Sequence, residues 1–380
     1  MNKIYIVHCW DGTKNDGWYP WLDEKISDSN NKVIRFNMPN TGTPKIEEWV
    51  KELDKQVDEI DSNIYFVGHS IGCQTIMRYL ETKEVKRIGG ILFVAPWLEL
   101  LDEAVSDEES YNTAMPWLNT PIDFEKIKKF TNKITCIFSD DDYFVPINQK
   151  DKFKEVLGAK TIVVSGKGHI SGEDNVFELN EIYDELINLL KKKVLILSFS
   201  SNKVNEDSFI PNKKGLTFSC VEYFEQKIIE SSNYVEHICI NNKNIKRCLA
   251  CGARGWGQCK DVHKCVIKDD FNDIYDYMSD FDVYIFITPV YFHEMSESAK
   301  TFFDRLKRCD AFNEKSNIKG KDIVCVACAG GSGSGTEETL NSFNTLNYFL
   351  NTNMIGSLAS TKFNFEDIKN EIDKIIKDKF

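Results

Sequence analysis

The chain has 380 residues, 42% hydrophobic and 28% charged, with 9 Pro, 21 Gly and a formal net charge of −12. That profile excludes collagen-like, low-complexity and disulfide-dense miniprotein classes, and the acidic balance argues against nucleic-acid binding. The length suits two domains of roughly 190 residues better than one. No apolar run approaches the roughly 18 residues of a membrane span, and Met1–Trp10 is too short in its apolar part for a signal peptide. A cytoplasmic protein without membrane attachment is expected, acting on small-molecule substrates.

In chain order, the apolar runs Ile4–Val7, Val33–Phe36, Ile64–Val67, Ile91–Val94, Ile134–Phe138 and Thr161–Val164 alternate with amphipathic stretches, the pattern of a parallel sheet covered by helices. An amphipathic run through Phe177, Leu179, Ile182, Leu186 and Leu189 ends in Lys191–Lys193, cations suited to a helix C-terminus. A second series follows at once. Strands are expected at Val194–Leu197, His237–Ile240, Val283–Ile287 and Ile323–Ala327, and helices near Phe218–Ile229, Ser296–Cys309, Thr336–Leu350 and Phe365–Ile376. The seam at residues 191–193 predicts two three-layer α/β/α domains with mainly parallel sheets, 1–192 and 193–380. Composition changes across it. The first part holds 23 Lys+Arg against 33 Asp+Glu and only Cys9, Cys73 and Cys136 of the 12 cysteines; the other nine lie between Cys220 and Cys328. Without an export signal, thiols, metal ligands or redox groups are expected rather than structural disulfides.

Gly68-His69-Ser70-Ile71-Gly72 follows a strand and precedes a helical run. A tight turn there holds a serine hydroxyl above the strand end, and the helix N-terminus favours an oxyanion. Such a nucleophile needs a base and an orienting acid in the chain order Ser, Asp, His. His169 lies in a Gly-flanked loop after the sixth strand, and Asp140, Asp141 and Asp142 follow the fifth. Two of the three aspartates read equally well as solvated turn residues or helix caps. Trp18, Tyr19, Trp21 and Leu22 read as packing. Residues 95–123, with Trp97, Trp117 and the acidic set Asp102, Glu103, Asp107, Glu108 and Glu109, read as a solvated surface loop or as a cap over Ser70 that disfavours anionic substrates.

His8-Cys9-Trp10-Asp11, Trp18–Leu22, GHSIG, SDDDYFVP and GHISGED together resemble the retinoblastoma-binding-protein-type serine hydrolases, an α/β-hydrolase family, over nearly all of residues 1–192. The resemblance implies Ser70 as nucleophile, His169 as base and, four positions before Pro146, Asp142 as acid. It implies oxyanion donors at the backbone N–H of Ile71 and near Trp10. The family's usual His-Gly pair is His8-Cys9 here.

In the second half, three loops follow strand ends: Ser198-Phe199-Ser200-Ser201-Asn202, Thr288–Phe292 and Ala329–Gly335. A hydroxyl-rich loop can wrap a phosphate, and glycines permit backbone to approach a planar ring. TPVYFHEMSESAKTFFDRLKRC with CVACAGGSGSG resembles the flavodoxin-like NADPH-dependent FMN reductases, including the iron–sulfur flavoproteins. That likeness implies FMN, with Ser198, Ser200, Ser201 and Asn202 at its phosphate and Pro289, Val290, Tyr291, Gly330, Gly331 and Gly333 along the isoalloxazine. It further implies NAD(P)H as electron donor and a homodimer formed through this domain. Cys248, Cys251, Cys259 and Cys265 lie within 18 residues and suit an iron–sulfur cluster, zinc or plain thiols. The related motif of the iron–sulfur flavoproteins has a cysteine where this chain has Arg254. His237 and His263 are further candidate ligands, while Cys309 and Cys328 read as core. The expected function is a serine hydrolase fused to an FMN-dependent NAD(P)H oxidoreductase; the rival reading is a redox carrier whose hydrolase-like half is a docking surface.

Overall fold

The computed structural model describes every residue except 58, 201–214, 253–256, 312, 314, 315 and 317. The chain divides into two compact units, Met1–Leu190 and Lys191–Phe380.

The first unit is built on β1 (Asn2–Val7), β2 (Asn31–Arg35), β3 (Ile64–His69), β4 (Gly90–Val94), β5 (Ile134–Ser139) and β6 (Lys160–Val164). They form one sheet in the order β2-β1-β3-β4-β5-β6, with every neighbouring pair parallel. Side chains alternate across a strand, so β1 sends Tyr5 and Val7 into one core with Trp49 and Phe66. Ile4 and Ile6 enter the other, with Trp18, Ile182 and Leu186. Burial on both faces explains why these strands read as continuous apolar runs. Trp18, Tyr19 and Leu22 are core residues. Residues 95–123 are not an open loop: they form a short 3₁₀ turn, Asp102–Val105, and a helix, Glu108–Asn119, capped by Asp107 and anchored by buried Ala114 and Trp117.

The second unit carries β7 (Lys193–Ser198), β8 (Tyr234–Cys239), β9 (Val283–Tyr291), β10 (Glu294–Met295), β11 (Asp322–Ala329) and β12 (Asn353–Thr361). The sheet order is β12-β11-β9-β7-β8, with β10 paired antiparallel to β9. Here too the alternation is complete: Leu195, Leu197, Tyr284 and Phe286 fill one core, and Val194, Ile196, Ile285 and Val326 the other. The edge strand β12 escapes the sequence pattern because NMIGSLAST is poor in large apolar residues and is only partly buried. Ile375 packs where a Gly356 Cβ would stand, at 2.6 Å, so glycine lets the last helix lie against this strand. Among the described residues no helix is long and apolar enough to cross a membrane.

Candidate active sites

Ser70 occupies the turn between β3 and the helix Ile71–Glu81 with φ 54° and ψ −119°, a left-handed conformation that an L-residue keeps only when its surroundings enforce it. The flanking glycines are part of that enforcement. A Cβ on Gly68 would meet Cys73 backbone at 2.8 Å, and one on Gly72 would meet the Val7 carbonyl oxygen at 2.3 Å. The helix can therefore press against β1. Ser70 Oγ accepts a hydrogen bond from Trp97 Nε1 at 3.3 Å.

The three consecutive aspartates are separated by their partners. Asp140 accepts from Ser165 Oγ and Gly166 N. Asp141 accepts from Ser139 Oγ, Lys167 N and Gly168 N. Those hydrogen bonds, first from the serine hydroxyls, hold both carboxyls below the usual range and fix the turn that carries His169. Asp142 is buried against His169 Nδ1 at 2.9 and 3.1 Å and also accepts from Phe144 N and Val145 N.

A second buried network ties the base loop to the loop after β1. His69 Nε2 lies 2.9 Å from the His169 carbonyl oxygen. A carbonyl only accepts, so Nε2 carries the hydrogen and Nδ1 is left to accept from Tyr19 Oη at 2.6 Å. Tyr19 Oη in turn accepts from Cys9 N at 3.2 Å. Burial pushes His69 down to about 3, so it stays neutral, and pushes the Cys9 thiol up to about 11. His8 is equally structural: Nδ1 donates to Cys9 O and Nε2 accepts from Met38 N. With Cys9 N–H committed to Tyr19, Trp10 N–H and Ile71 N–H have no acceptor among the described residues. His69 and Tyr19 are the pair that sequence reasoning passed over; GHSIG contains the histidine, but nothing local announces its partner.

Ser70 and His169 both line a cavity of about 680 Å³, walled by Trp10, Trp97, Phe144 and Phe177. Leu100, Glu103, Ala104 and Ser110 also line it, so residues 95–123 do border the cavity. Its lining carries four carboxylates, Asp11, Asp16, Glu103 and Glu173.

In the second unit the ends of β7, β9 and β11, adjacent in the sheet, bring three loops together at the edge where such sheets gather functional groups. Phe199 O accepts from Ser296 Oγ and Ser298 Oγ. The loop after β9 turns through Phe292 and His293, both at positive φ. Gly335, at φ 85°, is needed beside it, since a Cβ there would lie 2.4 Å from His293 Cα. Pro289 is buried, Val290 half-buried and Tyr291 exposed. Gly330 and Gly331 face open space, bare backbone of the kind a planar ring can approach. Gly333 sits at φ 88°. Ser198 corrects one expectation: its hydroxyl is buried on β7 and bonded to His237 Nε2 at 2.7 Å, which commits both residues. Ser200 is half-buried and its carbonyl accepts from Asn241; Ser201 and Asn202 lie outside the described residues.

Cys248, Cys251, Cys259 and Cys265 line one narrow pocket, joined by Cys309, Arg305 and Arg308. A Cβ on Gly257 would lie 2.4 Å from Cys251 Sγ, so the chain closes tightly on that thiol. Arg305 is locked by a fully buried bidentate pair with Asp269 at 2.6 and 2.8 Å. No three His, Cys, Asp or Glu side chains among the described residues are gathered as a metal-ligand set, and His263 Nδ1 donates to the Cys309 carbonyl oxygen at 3.0 Å. The donor set nevertheless suits a soft, thiolate-bound centre, with two cationic side chains to offset its charge. A second cavity, of about 580 Å³, has both Cys248 and Tyr291 in its lining.

Comparison with known proteins accounts for both units. Residues 4–188 match the serine hydrolase family and residues 210–364 the NADPH-dependent FMN reductase family. YdeN of Bacillus subtilis is 27% identical over 198 residues, 50% of this chain and 97% of YdeN. The crystal structure of the B. subtilis ydeN gene product matches with a TM-score of 0.46 and 25% identity, over 50% of this chain and 98% of that one. An iron–sulfur flavoprotein of Methanosarcina thermophila is 34% identical over 105 residues, 27% of this chain and 50% of that protein, so the chain spans half the length of that relative. Residues 4–188 thus form a serine hydrolase domain, and residues 210–364 belong to an NADPH-dependent FMN reductase domain.

Proposed function

We propose that the first unit hydrolyses esters or amides through Ser70, His169 and Asp142. The observation that carries this reading is the buried Asp142–His169 pair bordering the same cavity as a serine held at φ 54°. Ser70 Oγ attacks the substrate carbonyl while His169 Nε2 takes its proton, and Asp142 holds the Nδ1–H and the resulting imidazolium. Trp10 N–H and Ile71 N–H stabilise the oxyanion. His169 then hands the proton to the leaving group, and water, deprotonated by the same nitrogen, releases the acyl group and restores Ser70. Ser70→Ala and His169→Ala should each abolish labelling by a fluorophosphonate probe; a probe that labels the wild type elsewhere, or not at all, overturns the reading.

The second unit, on the same proposal, is an FMN reductase using NAD(P)H. FMN, when bound, supplies hydride acceptance and stepwise release of single electrons. Pro289, Val290, Tyr291 and the bare backbone of Gly330, Gly331 and Gly333 would flank the ring, and of the expected phosphate contacts Ser200 lies among the described residues. Cys248, Cys251, Cys259 and Cys265 would hold an iron–sulfur cluster, and Arg305 and Arg308 would then offset thiolate charge; zinc is the other metal this donor set would admit. The shared lining of Tyr291 and Cys248 in one cavity supports an electron path between ring and thiols. The absorbance spectrum of anaerobically purified protein reads flavin and cluster together, and a spectrum without flavin rejects this half. A cytoplasmic homodimer formed through the second unit belongs to the same reading.

One observation favours the rival reading of an idle hydrolase half: Ser70 Oγ is engaged by Trp97 rather than by His169. Nucleophile–base hydrogen bonds are often long in ligand-free enzymes and tighten with substrate, so the fluorophosphonate experiment decides between the two.

A further inference from the structure

Cys220 and Cys328, 108 positions apart, bring their sulfurs to 3.8 Å in the second unit. Cys220 lies on the helix Leu216–Glu230 and Cys328 near the end of β11. Both belong to the same apolar layer, with relative exposures of 0% and 4%. Cys220 Sγ is also 3.6 Å from Ser360 Oγ on β12, and Cys328 is in register with Pro289 on one side and Ser360 on the other. Gly330 comes two residues after Cys328. The pair therefore sits directly beneath the strand ends that carry two of the flavin-side loops. Among the described residues no other two thiols are in hydrogen-bonding contact.

A disulfide needs its sulfurs near 2.05 Å, so closure asks for an approach of less than about 2 Å, within reach of side-chain rotation and a small shift of the helix. We propose that Cys220 and Cys328 form a reversible redox couple, closed to a disulfide by hydrogen peroxide, and that closure weakens FMN binding. Cys220 is the attacking sulfur: its contacts with Cys328 and Ser360 hold its thiol below the usual range, while the contact with Cys220 and burial raise Cys328. The Cys220 thiolate attacks a peroxide oxygen, giving a sulfenic acid and hydroxide. Cys328 sulfur then attacks the sulfenic sulfur, the S–S bond forms and the sulfenic oxygen leaves as water with the Cys328 proton. Hydroxide takes up the proton first lost by Cys220, so two thiols and one peroxide give one disulfide and two waters. A small dithiol reverses it by two exchanges, leaving as its own cyclic disulfide. Cys73, Cys136 and Cys325, buried with their thiols pushed well up, have no such donor and stay reduced.

The effect on FMN rests on the flavin site proposed above, because closure draws the first turns of the helix toward the end of β11 and so displaces the Gly330–Gly335 loop. Formation of the disulfide does not rest on it. The full-length protein, with exposed thiols blocked by N-ethylmaleimide, is treated with hydrogen peroxide, then denatured, alkylated and digested. Mass spectrometry should find the Cys220 and Cys328 peptides joined, two hydrogens lighter than their sum and separable by dithiothreitol, with Cys325 free. Titrated with FMN, the oxidised protein should bind about tenfold more weakly than the reduced one, within the range of ordinary coupling between sites. Cys220→Ala and Cys220→Ser should form no cross-link and bind FMN alike before and after peroxide. Recovery of Cys220 and Cys328 as free thiols or as separate oxyacids, from protein with native circular dichroism, overturns the couple. A cross-link with unchanged FMN affinity overturns its link to the flavin site, whereas reduced protein that binds no FMN instead refutes the flavin assignment.

Discussion

His69 Nε2 donates to the carbonyl oxygen of His169 across 2.9 Å, so the residue next to Ser70 holds the backbone of His169. The other ring nitrogen reaches the loop after β1 through Tyr19. The Ser70 turn, the His169 loop and the loop after β1 are thereby joined by groups that carry no charge.

Tyr19→Phe tests that joint. It removes one hydroxyl but leaves two buried partners, Cys9 N–H and His69 Nδ1, unsatisfied, at about 1–3 kcal/mol each. We expect a stability loss of roughly 2 kcal/mol in urea unfolding and a lower kcat for a p-nitrophenyl ester with KM little changed. Unaltered stability means that the hydroxyl does not bridge the loops.

The pH dependence follows from His69. Its folded-state pKa, about 3, lies below the unfolded value near 6.5, so between these limits the unfolded chain binds the extra proton. Stability contributed by the neutral ring is complete above pH 6.5 and is lost as pH falls toward 3, on the order of 1 kcal/mol per pH unit once the unfolded histidine is protonated. Urea midpoints measured from pH 7 to 4 should fall less steeply in His69→Gln than in the wild type. Parallel slopes assign the acid sensitivity to other groups, such as His8, which burial also holds down.

The aspartates should separate by the kind of damage they cause. Asp142→Asn leaves the shape but removes the partner of His169 Nδ1, and kcat should drop by about 10⁴. Asp140→Asn and Asp141→Asn weaken the turn through residues 165–168, so their mark is a lower Tm with much of the specific activity retained. Equal losses of kcat at all three positions contradict this division.

In the second unit, Gly335→Ala puts a methyl 2.4 Å from His293 Cα on a residue whose φ of 85° disfavours a side chain. The hairpin through Tyr291 and His293 must move. FMN titration should show affinity reduced by about tenfold or more, with far-UV circular dichroism unchanged. Wild-type affinity in this variant removes the two loops from the flavin site.

Cys251→Ser addresses the thiol pocket. Iron content per flavin should fall in anaerobic preparations, while FMN binding and reduction of the flavin by nicotinamide persist. Undiminished iron places the metal elsewhere.

Much of this was legible in the chain. Alternating runs such as Ile64–Val67 and Ile323–Ala327 announce buried parallel strands because both faces are apolar, and GHSIG announces its turn because only glycine fits at positions 68 and 72. What remained hidden depends on contacts between distant segments. SDDD holds three chemically identical candidates, and only the partners in residues 165–169 tell them apart. Ser198 looked like a phosphate ligand until β8 placed His237 beside it. The strand Asn353–Thr361 has too few large side chains to show a period, and the Cys220–Cys328 contact joins a helix to a strand more than a hundred residues away.

The run of three aspartates has one more implication, for insertions and deletions. Each carboxylate serves a different partner, yet any one resembles its neighbours in size and charge. Removing Asp140 would slide Asp141 and Asp142 into their neighbours' places and bring Tyr143 opposite His169. The turn would keep its anchors and the unit its fold, while the base lost its acid. Length is therefore as sensitive a variable as composition between Ser139 and Pro146, and a one-residue deletion there should yield a well-folded but inert first unit.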